Sequence, residues 1–131
     1  MKLSEKQQAF TYNISLLIQY AFENGFFLTF GEAYRTIEQQ QIYFDSGRSK
    51  TMNSRHLQKL AVDFNIFKDG RHLFAPGISK EQYKCDLELA RPMGEFWESL
   101  NIYNVWGGDW NRNGVYDETF DDPYHFETRD K

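Results

Sequence analysis

Ser54-Arg55-His56-Leu57-Gln58-Lys59-Leu60-Ala61-Val62-Asp63 runs on into Phe64-Asn65-Ile66, and its alternation decides how the chain folds. Leu60, Val62, Phe64 and Ile66 fall on one side of an extended chain, and Ala61, Asp63 and Asn65 on the other, the period of two that marks a half-buried strand. Asp63 leaves the core face. A small alanine beside an acid, opposite four large apolar residues, points to a polar face that lines a cleft. His56 just before the strand and Asp63 within it offer a ring nitrogen and a carboxylate oxygen, the donors that hold a metal. A catalytic zinc site takes three protein ligands and a water. The third candidate is His125 in Asp121-Asp122-Pro123-Tyr124-His125-Phe126-Glu127, and Asp122, three residues before it, is the candidate base.

Length and composition bound the rest. A chain of 131 residues is expected to form one domain over residues 1–131, with a real core and no appended wall-binding module. Aromatic residues make up 18% and charged residues 26%, which fits a globule with an aromatic-walled pocket. A net charge of -4 argues against a nucleic-acid partner, whose footprint is basic. The single cysteine, Cys85, excludes an intramolecular disulfide and lies in a helical stripe, where packing in the core is expected. Met1-Lys2-Leu3-Ser4-Glu5-Lys6-Gln7-Gln8 lacks the apolar core of a signal peptide, and no run is long enough to span a membrane, so the expectation is a monomer made in the cytoplasm with no membrane partner.

Outward from the central strand, Ser4-Glu5-Lys6-Gln7 reads as a capping box opening a first helix that stops at Asn24-Gly25. Phe26 to Phe30 reads as a strand running on toward Tyr34, and Thr36-Ile37-Glu38-Gln39 caps a second helix through about Phe44. Arg35 then sits at a strand-to-helix junction, a place that lines clefts. Asp69-Gly70 is a type I′ hairpin signal, with the return arm expected over Arg71 to Phe74 and His72 on the surface. Ser79 caps a third helix that Pro92 is expected to kink or split. Val105-Trp106 and Tyr124 to Thr128 read as the last strands. The order α-β-α-β-β-α-β-β predicts an α+β fold with helices packed on a mainly antiparallel sheet.

These motifs resemble a known family. Ser54-x-His56 followed by Ala61-x-Asp63, then Trp106-Gly107-Gly108-Asp109-Trp110, then Asp122-x-x-His125-Phe126-Glu127, are similar in order and spacing to the M15 zinc peptidases, and most so to the phage-type L-alanyl-D-glutamate peptidases used as endolysins. The resemblance runs from about Phe26 to Glu127 and implies an M15/Hedgehog-like fold. It implies a zinc metallopeptidase that hydrolyses the L-alanyl-D-glutamate bond of the peptidoglycan stem peptide through a metal-activated water, after a holin-type or lysis-dependent release. By resemblance His56, Asp63 and His125 bind zinc, Asp122 is the catalytic acid/base, and Arg35 and Ser54 contact substrate, with Arg35 also a candidate for neutralising the oxyanion. Trp106 is read as a wall of the cleft. Where many relatives have glycine between the first histidine and the alanine, this chain has Gln58-Lys59-Leu60. Two rivals stay open: a D-alanyl-D-alanine carboxypeptidase, and a non-catalytic zinc-stabilised binding domain, against which Asp122 argues because a structural site needs no base.

The stretch Asp109-Trp110-Asn111-Arg112-Asn113-Gly114-Val115-Tyr116-Asp117-Glu118 follows the start of an EF-hand loop. Oxygen donors at Asp109, Asn111, Asn113 and Asp117, a glycine at Gly114 and a backbone carbonyl at Val115 fit a regulatory Ca2+ ion. Phe120 stands where the bidentate Glu belongs, and the same residues read equally as a solvated Asn-Gly-rich turn.

Overall fold

The computed structural model describes residues 2–34, 36–49, 55–109 and 122–129. Helix α1 (Leu3–Glu23) is capped two residues before the cap expected at Ser4. Lys2 is at the N-cap, and its backbone N–H donates to Glu5 Oε1 at 3.1 Å, so the acid of the motif serves a neighbouring residue. Strand β1 (Phe26–Phe30) follows Gly25, whose φ of 81° is the left-handed turn that Asn24-Gly25 signals. Helix α2 (Ile37–Asp45) has the expected cap, with Thr36 Oγ1 accepting from Gln39 N at 3.1 Å.

A 3₁₀ turn (Arg55–Gln58) carries His56 into strand β2 (Ala61–Lys68). Between them Lys59 takes φ 59°, a left-handed conformation that favours glycine and falls where relatives were expected to carry one. Asp69 and Gly70, at φ 53° and 76°, make the expected I′ turn into β3 (Arg71–His72). Helix α3 (Lys80–Ser99), β4 (Asn104–Trp106) and β5 (His125–Thr128) complete the chain. The strands form an antiparallel sheet in the order β1-β2-β5-β4, with β3 beside β2. The α+β reading with helices on an antiparallel sheet holds.

Helices α1 and α3 cover one face. Phe10, Ile14 and Leu17 from α1 and Leu87, Met93 and Trp97 from α3 enclose Val62, Phe64, Ile66 and Phe126. Phe10 and Phe126 each meet the Trp97 ring edge to face, at 5.5 and 6.2 Å between centroids.

Five expectations are corrected. Strand β1 stops at Phe30 and does not reach Tyr34, although Gly31 and Glu32 still bond to Asp63. The hairpin's return arm is two residues long. Pro92 leaves α3 one continuous helix: Pro92 and Glu88, whose carbonyl it deprives of a donor, are both exposed, so that carbonyl is not buried without a partner. Cys85 is exposed because the buried positions of its turn are Asp86 and Leu87. His72, read as a surface residue, is half-buried and stacks on Phe67 at 4.7 Å.

Asp86 is the buried acid of the scaffold. Its fully covered carboxylate accepts from Arg71 at 2.6 and 3.1 Å, from Gln82 Nε2 at 2.9 Å and from the Phe74 N–H at 3.0 Å. Burial raises its pKa, but the Arg71 guanidinium and the other donors outweigh that and hold it below the ordinary aspartate range. A carboxyl depressed in the folded state contributes stability that is fully present above the unfolded value, roughly pH 4, and is lost as pH falls from there through the lower folded value. Asp86→Ala is expected to destabilise the fold by about 2 kcal/mol, chiefly through the unmet Phe74 N–H, since half-exposed Arg71 returns to water. Urea melts at pH 7 and pH 3.5 check both effects, the gap between variant and parent narrowing at the lower pH.

Candidate metal centre

Register brings the site together. Asp63 pairs with His125 across β2 and β5, and Ala61 with Glu127. The Asp63 backbone spends its hydrogen bonds on the other side, accepting from Gly31 N at 2.8 Å and donating to the Glu32 carbonyl at 2.7 Å. Asp63 and His125 are thus a non-hydrogen-bonded pair, the kind whose side chains lie closest. Strand β4 extends the rows: Val105 lies beside Glu127, Trp106 beside Phe126, and Gly107 N donates to the His125 carbonyl at 2.8 Å.

His56, Asp63 and His125 each place one donor atom within 4.8 Å of the others, a group able to hold a metal ion. Asp63 Oδ1 is 3.0 Å from His125 Nδ1 and 3.4 Å from His56 Nε2. The two rings meet at 5.0 Å and 74°, with the His56 Nδ1 atom 3.5 Å from the Ala33 carbonyl. Burial pushes Asp63 up, but hydrogen bonds from His125 and His56 dominate and hold it well below the carboxylate range. His125 is pulled the opposite way. Burial lowers its pKa, yet Asp63 on one ring nitrogen and Glu127 on the other push it up to about 10.

Asp122 opens the turn into β5. Its N–H donates to the Gly107 carbonyl at 2.9 Å, and its carbonyl accepts from His125 N at 3.0 Å. A Cβ on Gly107 would lie 2.0 Å from the Asp122 carbonyl oxygen, so only glycine lets the two backbones approach this closely. Burial raises the Asp122 carboxyl, and the Asp63 charge raises it further, which places the two acids in one field.

Trp106 does not wall the cleft. It is 1% exposed, because its partners in the sheet are Phe126 and, one strand on, Val62, which face the core. Its Nε1–H donates to the Pro123 carbonyl at 2.9 Å, so it anchors the Asp122 turn from beneath, with Gly94 and Gly108 against its ring. Of the residues read as a calcium loop, Asp109 is buried and its N–H donates to the Trp106 carbonyl at 3.0 Å. Asn111, Asn113, Val115 and Asp117, like Arg35 and Ser54, lie outside the described residues.

Sequence reasoning assigned no role to Glu127 or Arg129. Glu127 is 8% exposed; its Oε1 accepts from His125 Nε2 at 2.7 Å and its Oε2 from Arg129 Nε at 2.8 Å. The signal available was the His-x-Glu spacing, which sets both side chains on one face of a strand.

The fold is shared with two solved peptidase structures. An L-Ala D-Glu endopeptidase from Serratia marcescens, ChiX, superposes with a TM-score of 0.58 at 21% identity, over 98% of this chain and 87% of that one. A mutant of the D,D-pentapeptidase VanY from a VanB-type resistance cassette, in complex with Zn(II), superposes at 0.50 and 20% identity, over 91% and 70%. The chain belongs to the phage L-alanyl-D-glutamate peptidase family, whose model matches residues 18–128. It is 33% identical over 95 residues to the L-alanyl-D-glutamate peptidase of Listeria phage A118, 72% of this chain but 30% of that protein. No described helix is long and apolar enough to cross a membrane.

Proposed function

We propose that this chain is a zinc-dependent peptidoglycan peptidase that hydrolyses the L-alanyl-D-glutamate bond of the stem peptide. The observation that carries the reading is the His56, Asp63 and His125 cluster with the Asp122 carboxyl in its field. The donor set suits the ion: tetrahedral zinc with bonds of about 2.0–2.1 Å separates neighbouring ligand atoms by roughly 3.3 Å, against the 3.4 and 3.0 Å here. His56 Nε2, Asp63 Oδ1 and His125 Nδ1 would hold the metal.

When bound, zinc makes water nucleophilic near neutral pH and draws charge from the scissile carbonyl. Asp122 accepts the proton of the attacking water and passes it to the leaving amine, the glutamate nitrogen. Its raised pKa suits a group that both takes and gives a proton. Trp106 and Gly107 hold the turn on which Asp122 sits. Arg35 and Ser54 contact substrate, Arg35 offering a cation to the developing oxyanion.

The two structural neighbours cut different bonds by name, so the fold does not choose between them; membership of the family favours the L-alanyl-D-glutamate bond. Mass spectrometry of digested peptidoglycan tests the choice. New stem peptides beginning with D-Glu are expected. Free D-Ala as the main product transfers the activity to the carboxypeptidase reading, and uncut peptide in the presence of zinc leaves a binding domain.

A further inference from the structure

We propose that Glu127 is a positioning residue for the metal centre, fixing the His125 ring so that Nδ1, and not Nε2, faces the ion. The proposal rests on the zinc reading above. An imidazole can present either nitrogen, and the one that meets a metal is set by the hydrogen bond that the other makes. Here Nε2 donates to Glu127 Oε1 at 2.7 Å, while Nδ1 lies on the Asp63 side. The carboxylate has no freedom to do otherwise. Its second oxygen accepts from Arg129 Nε, and its backbone carbonyl accepts from the indole N–H of buried Trp97 at 3.0 Å. Ala61, a small residue, sits across the strand pair from Glu127 on the same face of the sheet. Arg129 compensates the buried charge, so Glu127 can stay ionised beside the ring without acting as a ligand itself. A residue that only stabilised β5 would have no need to touch the ring nitrogen turned away from the metal.

Glu127→Ala and the nearly isosteric Glu127→Gln, each loaded with zinc, test this. Competition against a chelating indicator is expected to show about 10- to 100-fold weaker zinc binding in Glu127→Ala. A smaller loss is expected in Glu127→Gln, whose amide oxygen still accepts. In long-range proton–nitrogen spectra of the zinc-loaded proteins, the His125 Nε2–H proton should be shifted far downfield in the parent and move upfield in Glu127→Gln. If Glu127→Ala does not fold, the glutamine variant carries the test alone. Parent-like zinc affinity with an unmoved His125 resonance overturns the proposal while leaving the zinc site standing. A parent protein that takes up no zinc overturns both.

Discussion

His56→Ala and His125→Ala are each expected to purify without stoichiometric zinc and without measurable peptidase turnover. In the proposed site each ring supplies one of three donors, Asp63 being the third, and the two that remain cannot hold a site that needs three. Removing His125 has a second consequence. It leaves the Asp63 and Glu127 carboxylates facing each other with one cation fewer between them, so metal-free His125→Ala should melt below the metal-free parent. Metal analysis after gel filtration, with circular dichroism on the same samples, separates loss of metal from loss of fold. One zinc per chain in both variants would falsify the ligand assignment.

Asp122→Asn should show the opposite pattern, with zinc and fold kept and catalysis lost. The backbone of Asp122 bonds the turn to Gly107 and His125, and an amide leaves those bonds in place, its oxygen still able to accept from the Tyr124 N–H that the carboxylate accepts. What the amide cannot do is take a proton. The expected fall in kcat is about 10²- to 10⁴-fold, the usual worth of a positioned acid–base group. Turnover of a defined muropeptide, measured by chromatography alongside zinc content, gives the answer. A rate within about tenfold of the parent would move the proton transfer to another residue.

The centre is also why small changes around it matter. Gly31 packs against the Asp63 backbone, and Gly107 against the Asp122 carbonyl, with a would-be Cβ 3.0 and 2.0 Å from the nearest atom. These glycines let β1 and β4 close on the strands that carry Asp63 and His125. The Trp-Gly-Gly motif thus belongs to the frame of the site and not to its wall.

Much was legible in the sequence because it is written over a few residues. The alternation from Leu60 to Ile66, the Asp69-Gly70 turn and the caps at Thr36 and Ser79 each depend on local backbone chemistry, and each stands where it was read. The M15 resemblance, carried by short motifs in a fixed order, is met by the family match. The face that Asp63 presents followed from period two alone. Other features depended on strand pairing, which no local pattern specifies. Asp63 and His125 stand 62 positions apart, and only the β2–β5 register makes them a close pair. The same register turns Trp106 into the core behind Phe126, places Glu127 across from Ala61, and sets Nδ1 of His125 beside Asp63 and Nε2 beside Glu127. Composition and periodicity could nominate the donors, but the hydrogen bonds that orient them are made between segments that meet only once the sheet has closed.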